Sequence, residues 1–237
     1  PNTLKVQGDL LGVDEEHRFN DENDLFAAGK LADAIAISTL DKEHYREAVK
    51  AIELGYHILL EKPISPDERE VADLGKRAKE KGVKVAVCHV LRYTPFFRKL
   101  KELIDDKIVG DVININHTEN VGYWHQAHSF VRGNFRNSDE TSPMILQKCC
   151  HDFDILSWLA NSRCDYVSSI GDLTFFKKEN APEGSAAYCC DCMIADECPY
   201  NAYKIYEKRK LVPIEQLSDK NNRFARCVFH CDNNVVD

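Results

Sequence analysis

No run of apolar residues in this sequence approaches the roughly 18–20 needed to cross a bilayer. No basic-then-apolar leader opens it. Low-complexity tracts are absent, and so is any repeat with a period of roughly 20–50 residues. Positive charge is in deficit: 31 Lys and Arg stand against 39 Asp and Glu, for a net charge of −8. A net acidic surface argues against broad binding to nucleic acid or to an anionic membrane, because both need basic patches. These absences lead us to expect a cytoplasmic protein with neither nucleic acid nor membrane as partner.

What is present is ordinary for a globular chain, with 43% hydrophobic and 30% charged residues. The 237 residues suffice for one large domain or two modest ones. Cysteine is the exception. Cys88, Cys149, Cys150 and Cys164 are scattered, whereas Cys189, Cys190, Cys192, Cys198, Cys227 and Cys231 crowd the C-terminal part. In a reducing compartment most of these are free thiols.

The first twenty residues read as polar and irregular. Glu22 to Gly29 reads as a short helix. Ala34 to Ser38 then fits a buried strand, and Asp41 N-caps a helix running to Leu54 and stopped by Gly55. Tyr45, Ala48, Val49 and Ile52 share one face of it. His57 to Leu60 is the next strand. Ser65-Pro66-Asp67-Glu68 starts a helix, with Ser65 as cap and Glu68 closing a capping box. That helix stops at Gly82, and Val83 to Val87 is a third strand. Short strands alternating with helices of about a dozen residues predict βαβ units, a parallel sheet and helices on its faces. The continuous apolar strands suit a sheet covered on both sides.

After Val87 the pattern changes. Thr94-Pro95 starts another helix, with Phe97, Leu100 and Ile104 on one side. Val112-Ile113-Asn114-Ile115-Asn116 alternates with period two, which predicts an antiparallel strand with one wet face. The expected boundary separates residues 1–92, an α/β Rossmann-type domain, from 93–237, an α+β domain with a mostly antiparallel open sheet.

In an open parallel sheet, ligands bind outside the carboxyl ends of the strands. Ser38-Thr39 follows one strand there and Glu61-Lys62-Pro63 follows the next, so both clusters border one crevice. Pro63 restricts the backbone of Lys62 and thereby fixes where its side chain starts. The same tripeptide also reads as a solvated charge pair leading into a helix. Farther on, Gln147, His151, Asp154 and Trp158 fall in one stripe of a helix, with Leu146, Cys149, Phe153, Leu156 and Ala160 opposite. A histidine with a carboxylate one turn away suits a general base. It equally suits a solvated helix face.

Taken together, Ser38-Thr39 with His44, Glu61-Lys62-Pro63, Arg92-Tyr93 and His151-Asp-Phe-Asp154 resemble, in order and spacing, the glucose–fructose oxidoreductase/inositol dehydrogenase family (Gfo/Idh/MocA). The resemblance runs from about Glu22 to Trp158. It implies a dinucleotide-binding domain followed by an α+β domain that supports a homo-oligomer, a dimer or tetramer. It implies NAD or NADP as cofactor and a hydride transfer to or from a sugar, cyclitol or related polyol. By that resemblance Lys62 and His151 are catalytic, with Asp154 and Gln147 beside them. Ser38, Thr39, Leu40, His44, Glu61, Lys62 and Arg92 line the dinucleotide crevice. His151 accepts the hydroxyl proton, Lys62 stabilises the developing alkoxide, and Asp154 orients His151. Tyr123, Trp124, His125 and His128 either touch substrate or simply cover the sheet. Relatives of this fold also cleave glycosides by transient oxidation and elimination, and a binding protein without turnover is the third reading.

Two departures matter. The family's Gly-x-Gly-x-x-Gly phosphate turn is absent, so the chain is expected to lack the first β-α-β unit, and the resemblance leads us to expect that Val235-Val236-Asp237 falls inside the second domain. Gln147 stands where the family commonly has Asp, and it hydrogen-bonds a hydroxyl without taking its proton. The spacing Cys189-x2-Cys192-x5-Cys198, with Cys227 or Cys231 as a fourth ligand, suits structural zinc more than an iron–sulfur cluster. Free thiols and a disulfide remain the other readings of it.

Overall fold

The structure is a computed structural model, and it describes residues 2–232. Val235, Val236 and Asp237 lie outside the described residues. The chain divides into two compact units, residues 1–88 and 89–237.

The first unit opens with helix α1 (Asn2–Leu11), where the composition suggests an irregular segment. An ion pair one helical turn apart, Lys5 to Asp9 at 2.9 Å, supports it. Helix α2 (Glu22–Ala27) is capped by Asp21, whose side chain accepts from the Asn23 amide. Strand β1 (Ala34–Ile37), helix α3 (His44–Leu54), strand β2 (His57–Leu60), helix α4 (Glu68–Lys81) and strand β3 (Val85–Val87) follow. The sheet has the order β1-β2-β3, all parallel.

Both crossovers step in the same direction across the sheet. Right-handed connections therefore put α3 and α4 on the same face, and the two helices pack against each other. Ile37, Ile58 and Leu60 point into them and meet Ala48, Ala51, Ile52, Leu74 and Ala78. Each buried Ile or Leu contributes about 1.5–3 kcal/mol. The alternate residues Ala36, His57, Leu59 and Ala86 are exposed. The expectation of a sheet covered on both sides is thus corrected: these strands bury one face.

Gly55 and Gly82 end α3 and α4 in the left-handed conformation, φ 82° and 71°, which residues with a Cβ avoid. The starts differ from the pattern reading. Asp41 is buried in the turn before α3 and Glu43 holds the cap position. At α4 the cap is Asp67, which accepts from the Arg69 amide at 2.8 Å. Ser65 instead accepts from the Asp67 amide and donates to Glu70. Tyr56 fastens the entry to β1, donating to the Gly29 carbonyl at 2.8 Å and accepting from the Leu31 amide at 2.7 Å.

The second unit is helical and irregular. Helix α5 (Pro95–Asp105) starts as expected, with Thr94 as cap and Pro95 in the first turn. Residues 112–122 have no regular secondary structure and Ile113 is 92% exposed, so the expected antiparallel strand is not formed. Alternation supplies one wet and one dry face, but a strand also needs a neighbour to accept its backbone bonds. The described residues of this unit contain no strand ladder, only an isolated antiparallel bridge between Tyr188 and Arg226. The unit holds α6 (Tyr123–His125), which runs on as a π-helical turn to Arg132, then α7 (Met144–Gln147), α8 (Cys150–Ala160) and α9 (Ala202–Arg209). Its core gathers Ala127, Val131, Phe176, Ile205, Tyr206, Leu217 and Phe229, with Cys189 and Cys227 among them.

Candidate active site

In the first unit the sheet ladder continues just past the strands. The Glu61 amide donates to the Ile37 carbonyl at 2.9 Å and the Cys88 amide to the Leu60 carbonyl at 2.8 Å. Ser38, Thr39 and Leu40 leave β1 exposed to solvent; Glu61 and Lys62 leave β2 half-buried. The two loops are joined by His44 from the start of α3. Its Nδ1 lies 2.8 Å from the Pro63 carbonyl oxygen and its Nε2 3.0 Å from that of Thr39. The ring is 1% exposed, so its place is beneath the loops.

Thr39 also donates its hydroxyl to Glu47 at 2.7 Å. Burial of Glu47, together with the neighbouring Glu22, raises its carboxyl above the ordinary carboxylate range. The hydrogen bond shared with Glu47 lowers Glu22. A cavity of about 570 Å³ lies beside β1, lined by Ser38, Thr39, Glu47, Asn20, Asp21 and residues of α2.

In the second unit the expected helix over 144–158 is broken. Lys148 and Cys149 separate α7 from α8, which places Gln147 and His151 on different segments. The buried face of α8 is Asp152, Ile155 and Leu159. Phe153 and Ala160, expected on the core side, are exposed. Apolar residues cover a wide arc of this helix. The pattern reading chose one edge of that arc and the fold buries the other.

Asp154 is taken by Arg92. The guanidinium donates from Nε to Oδ2 at 2.6 Å and from Nη2 to Oδ1 at 2.7 Å, and it lies 5.5 Å over the Trp158 ring. Two residues expected in separate roles thus hold each other. The half-buried ring of His151 meets that of His89 edge-on, centroids 6.0 Å apart. On the next helical position, Asp152 accepts from His117 Nε2 at 2.7 Å, and Lys148 pairs with Glu119 at 2.6 Å. Nothing in the spacing of His117 and Glu119 marks them in the sequence.

Trp124 packs against the core of the second unit with Arg209 stacked on it at 3.8 Å. His128 contacts the Tyr206 hydroxyl at 3.1 Å and stacks on Phe224. Burial lowers the proton affinity of His128 and pushes the Tyr206 hydroxyl up to about 12. Tyr123 is half exposed and His125 stacks on Trp124. All ten cysteines are free, so the disulfide reading of the cluster is not realised. Cys189, Cys192, Cys198 and Cys227 line one small cavity, while Cys190 is exposed and Cys231 faces a separate one.

The sequence model of the oxidoreductase family with an NAD-binding Rossmann fold, Gfo/Idh/MocA, matches residues 11–89. Over that third of the chain the sequence is similar to this family. It is 27% identical over 173 residues to the oxidoreductase YteT of Bacillus subtilis, covering 71% of this chain and 40% of that one. It is 26% identical over 144 residues to an inositol 2-dehydrogenase of Corynebacterium glutamicum, covering 57% and 37%. Among solved structures it resembles the Lactobacillus casei scyllo-inositol dehydrogenase with bound NAD(H) and scyllo-inositol. The TM-score is 0.50 at 23% identity, covering 60% of this chain and 41% of that one. The chain spans about two fifths of the length of these relatives.

Proposed function

We propose that this chain is part of an NAD(P)-dependent oxidoreductase acting on CH–OH groups of a sugar, cyclitol or related polyol. The observation that carries the reading is the carboxyl edge of the parallel sheet. There His44 braces the Ser38–Thr39 loop against the Lys62–Pro63 loop, within the segment that the family model matches. The first unit is the dinucleotide-binding domain and the second the substrate domain. The relatives' names support the substrate class: one is an inositol 2-dehydrogenase and another holds NAD(H) and scyllo-inositol.

The residues of the first unit fit a nicotinamide dinucleotide in part. Exposed Ser38 and Thr39 and the adjoining cavity offer hydroxyl and backbone groups to a ribose or nicotinamide. The glycine-rich turn that holds a pyrophosphate is not in the sequence. When bound, the cofactor supplies a hydride acceptor. In this reading His151 takes the hydroxyl proton, Lys62 stabilises the alkoxide oxygen, and Gln147 hydrogen-bonds a neighbouring hydroxyl. Asp154 acts by fixing Arg92, which turns that guanidinium into a rigid donor. Structural zinc at Cys189, Cys192 and Cys198 is not part of this chemistry.

The protein works in the cytoplasm as a homo-oligomer in this reading. Among the described residues no helix is long and apolar enough to cross a membrane. The test is turnover of the whole protein with NAD or NADP against cyclitols, hexoses and glycosides. Reduced nicotinamide should form with a cyclitol or sugar. Lys62→Ala and His151→Ala should each lower kcat by about 10²–10⁴. Glycoside cleavage without net reduced nicotinamide would move the assignment to oxidation–elimination. Failure to bind either dinucleotide at millimolar levels would end the enzyme reading.

A further inference from the structure

Positive charge gathers at one place in the second unit of this acidic chain. Arg132, Arg136, Arg223 and Arg226 line a cavity of about 140 Å³, together with Asn221 and Asp232. Two stretches of chain supply them. Arg132 closes the π-helical turn that begins at Gln126, and Arg136 ends the short turn Asn134–Arg136 just after it. Arg223 opens the turn Arg223–Ala225, whose cap Asn222 accepts from the Phe224 amide at 3.1 Å, and Arg226 follows that turn. Arg132 joins the two stretches, its Nε donating to the Arg226 carbonyl at 2.6 Å.

Guanidiniums brought together repel one another unless something compensates them. Arg132 is 1% exposed. Its Nη2 donates to the Tyr200 carbonyl at 2.7 Å, and its Nη1 is buried with no hydrogen-bond partner. The neighbouring Tyr206 is neutral, because burial pushes its hydroxyl up to about 12. A cation held out of water without a counter-charge is costly. Among the described residues, the carboxylates within ion-pair distance of these four arginines are Glu140 and Asp232. Glu140 takes Arg136 through two hydrogen bonds, at 2.9 and 3.0 Å. Asp232 stands 3.4 Å from Arg136 Nε and 3.6 Å from Arg226 Nη1, longer than a good charged hydrogen bond of about 2.7–2.9 Å. Neither carboxylate reaches Arg132 or Arg223. Four guanidiniums therefore face two carboxylates, and two positive charges stay uncompensated.

Size and access narrow the missing partner. The cavity is smaller than the roughly 300 Å³ at which sites begin to enclose a whole organic ligand, so it suits a compact ion. Asn221, Arg223 and Asp232 are exposed, which gives that ion a way in from solvent. Planar guanidinium forks match the paired oxygens of a phosphate. A carboxylate would compensate only one of the two charges, and a cation would be repelled.

We propose that this cavity binds a phosphate dianion, either the free ion or the terminal phosphoryl group of a larger molecule. Arg136, Arg223 and Arg226 donate to its oxygens, and the Asn221 amide adds a further donor. Arg132, fixed by two backbone carbonyls, supplies buried charge beneath them. None of these residues takes part in the proposed dehydrogenase chemistry, so the site stands or falls without it.

The test is calorimetric titration of the whole protein with inorganic phosphate at pH 8, with chloride holding the ionic strength constant. Binding should have a Kd below about 1 mM. Arg223→Ala and Arg226→Ala should each weaken it about tenfold or more, the loss of one charged hydrogen bond. Lys208→Ala, which removes an exposed charge of α9 outside the cavity, should leave Kd within about twofold. The Arg223 side chain makes no ion pair with a described residue, so its removal leaves the fold intact, and thermal melting in phosphate-free buffer verifies this. Glucose 6-phosphate titrated in parallel identifies the source. Tighter binding of the ester assigns a phosphorylated ligand, equal or weaker binding assigns the free ion, and either upholds the site. Four results overturn it: no binding of phosphate or ester at about 10 mM, acetate binding as tightly as phosphate, unchanged affinity in both arginine variants, or an equal loss in Lys208→Ala.

Discussion

His44 joins Thr39 to Pro63 through the two nitrogens of one buried ring, at 3.0 and 2.8 Å. Removing the ring leaves two carbonyl oxygens facing a hole. His44→Ala should therefore destabilise the protein by about 2–3 kcal/mol in urea denaturation. It should also weaken dinucleotide binding at least about tenfold, a difference of about 1.4 kcal/mol. His44→Asn reaches only one of the carbonyls and should recover part of the loss. An unchanged Kd in His44→Ala would show that the brace does not set the loop geometry that binds cofactor.

Arg92 and Asp154 should behave as one unit. Arg92→Ala and Asp154→Ala should each lower kcat/KM by a similar factor, and the double variant should lose little more. The coupling energy expected for a two-pronged, partly buried pair is about 1–3 kcal/mol. Additive losses in the double-mutant cycle would separate the two residues.

Glu47 gives the first unit a dependence on pH. Its folded pKa is raised above the ordinary 4.5 by burial first and by Glu22 second. Between 4.5 and that raised value the folded protein binds more protons than the unfolded chain. Stability therefore falls as pH rises through this window. Glu22 is shifted the other way, so its contribution is lost as pH falls below 4.5. Glu47→Gln keeps an acceptor for Thr39 and removes the charge. Thermal melts of it from pH 4 to 8 should lack the alkaline drop that the parent shows.

The second unit has the opposite sensitivity. Burial depresses the folded pKa of His128 below 6.5. As pH falls from 6.5 through the depressed value, the unfolded chain takes up the proton first and stability is lost. His128→Phe also removes a partner of the Tyr206 hydroxyl, so it should be less stable than the parent at pH 8. The gap should narrow at pH 5. A constant gap across that range would assign the acid sensitivity elsewhere.

The first unit was readable because its punctuation is local. Gly55 and Gly82 both sit at left-handed helix ends, and the apolar run of β2 lies between them and the next turn. The start of α4 slipped by two residues because Ser65 and Asp67 both suit a cap, and only the reach of Glu70 back to Ser65 decides between them. Helix α1 went unread since most of its apolar residues, Val6, Leu10 and Leu11 among them, are exposed and form no stripe toward a core. Along α8, Ile155 and Leu159 lie beside Phe153 and Leu156, and packing from distant residues selects the buried pair. The second unit gave least. Its core is assembled from turns, aromatics and cysteines, whose spacing carries no period. The carboxylate that Arg92 chose, 62 positions along, leaves no trace in local sequence.

The common direction of the two crossovers leaves Ala36, Leu59 and Ala86 as an uncovered apolar strip, with Leu59 half exposed. A parallel sheet with one bare side is an adhesive surface. A fragment ending at Cys88 would carry that surface into solution together with the outer edges of β1 and β3, and would clump on concentration. Leu59→Lys, which touches none of the loops at the strand ends, should keep such a fragment dispersed.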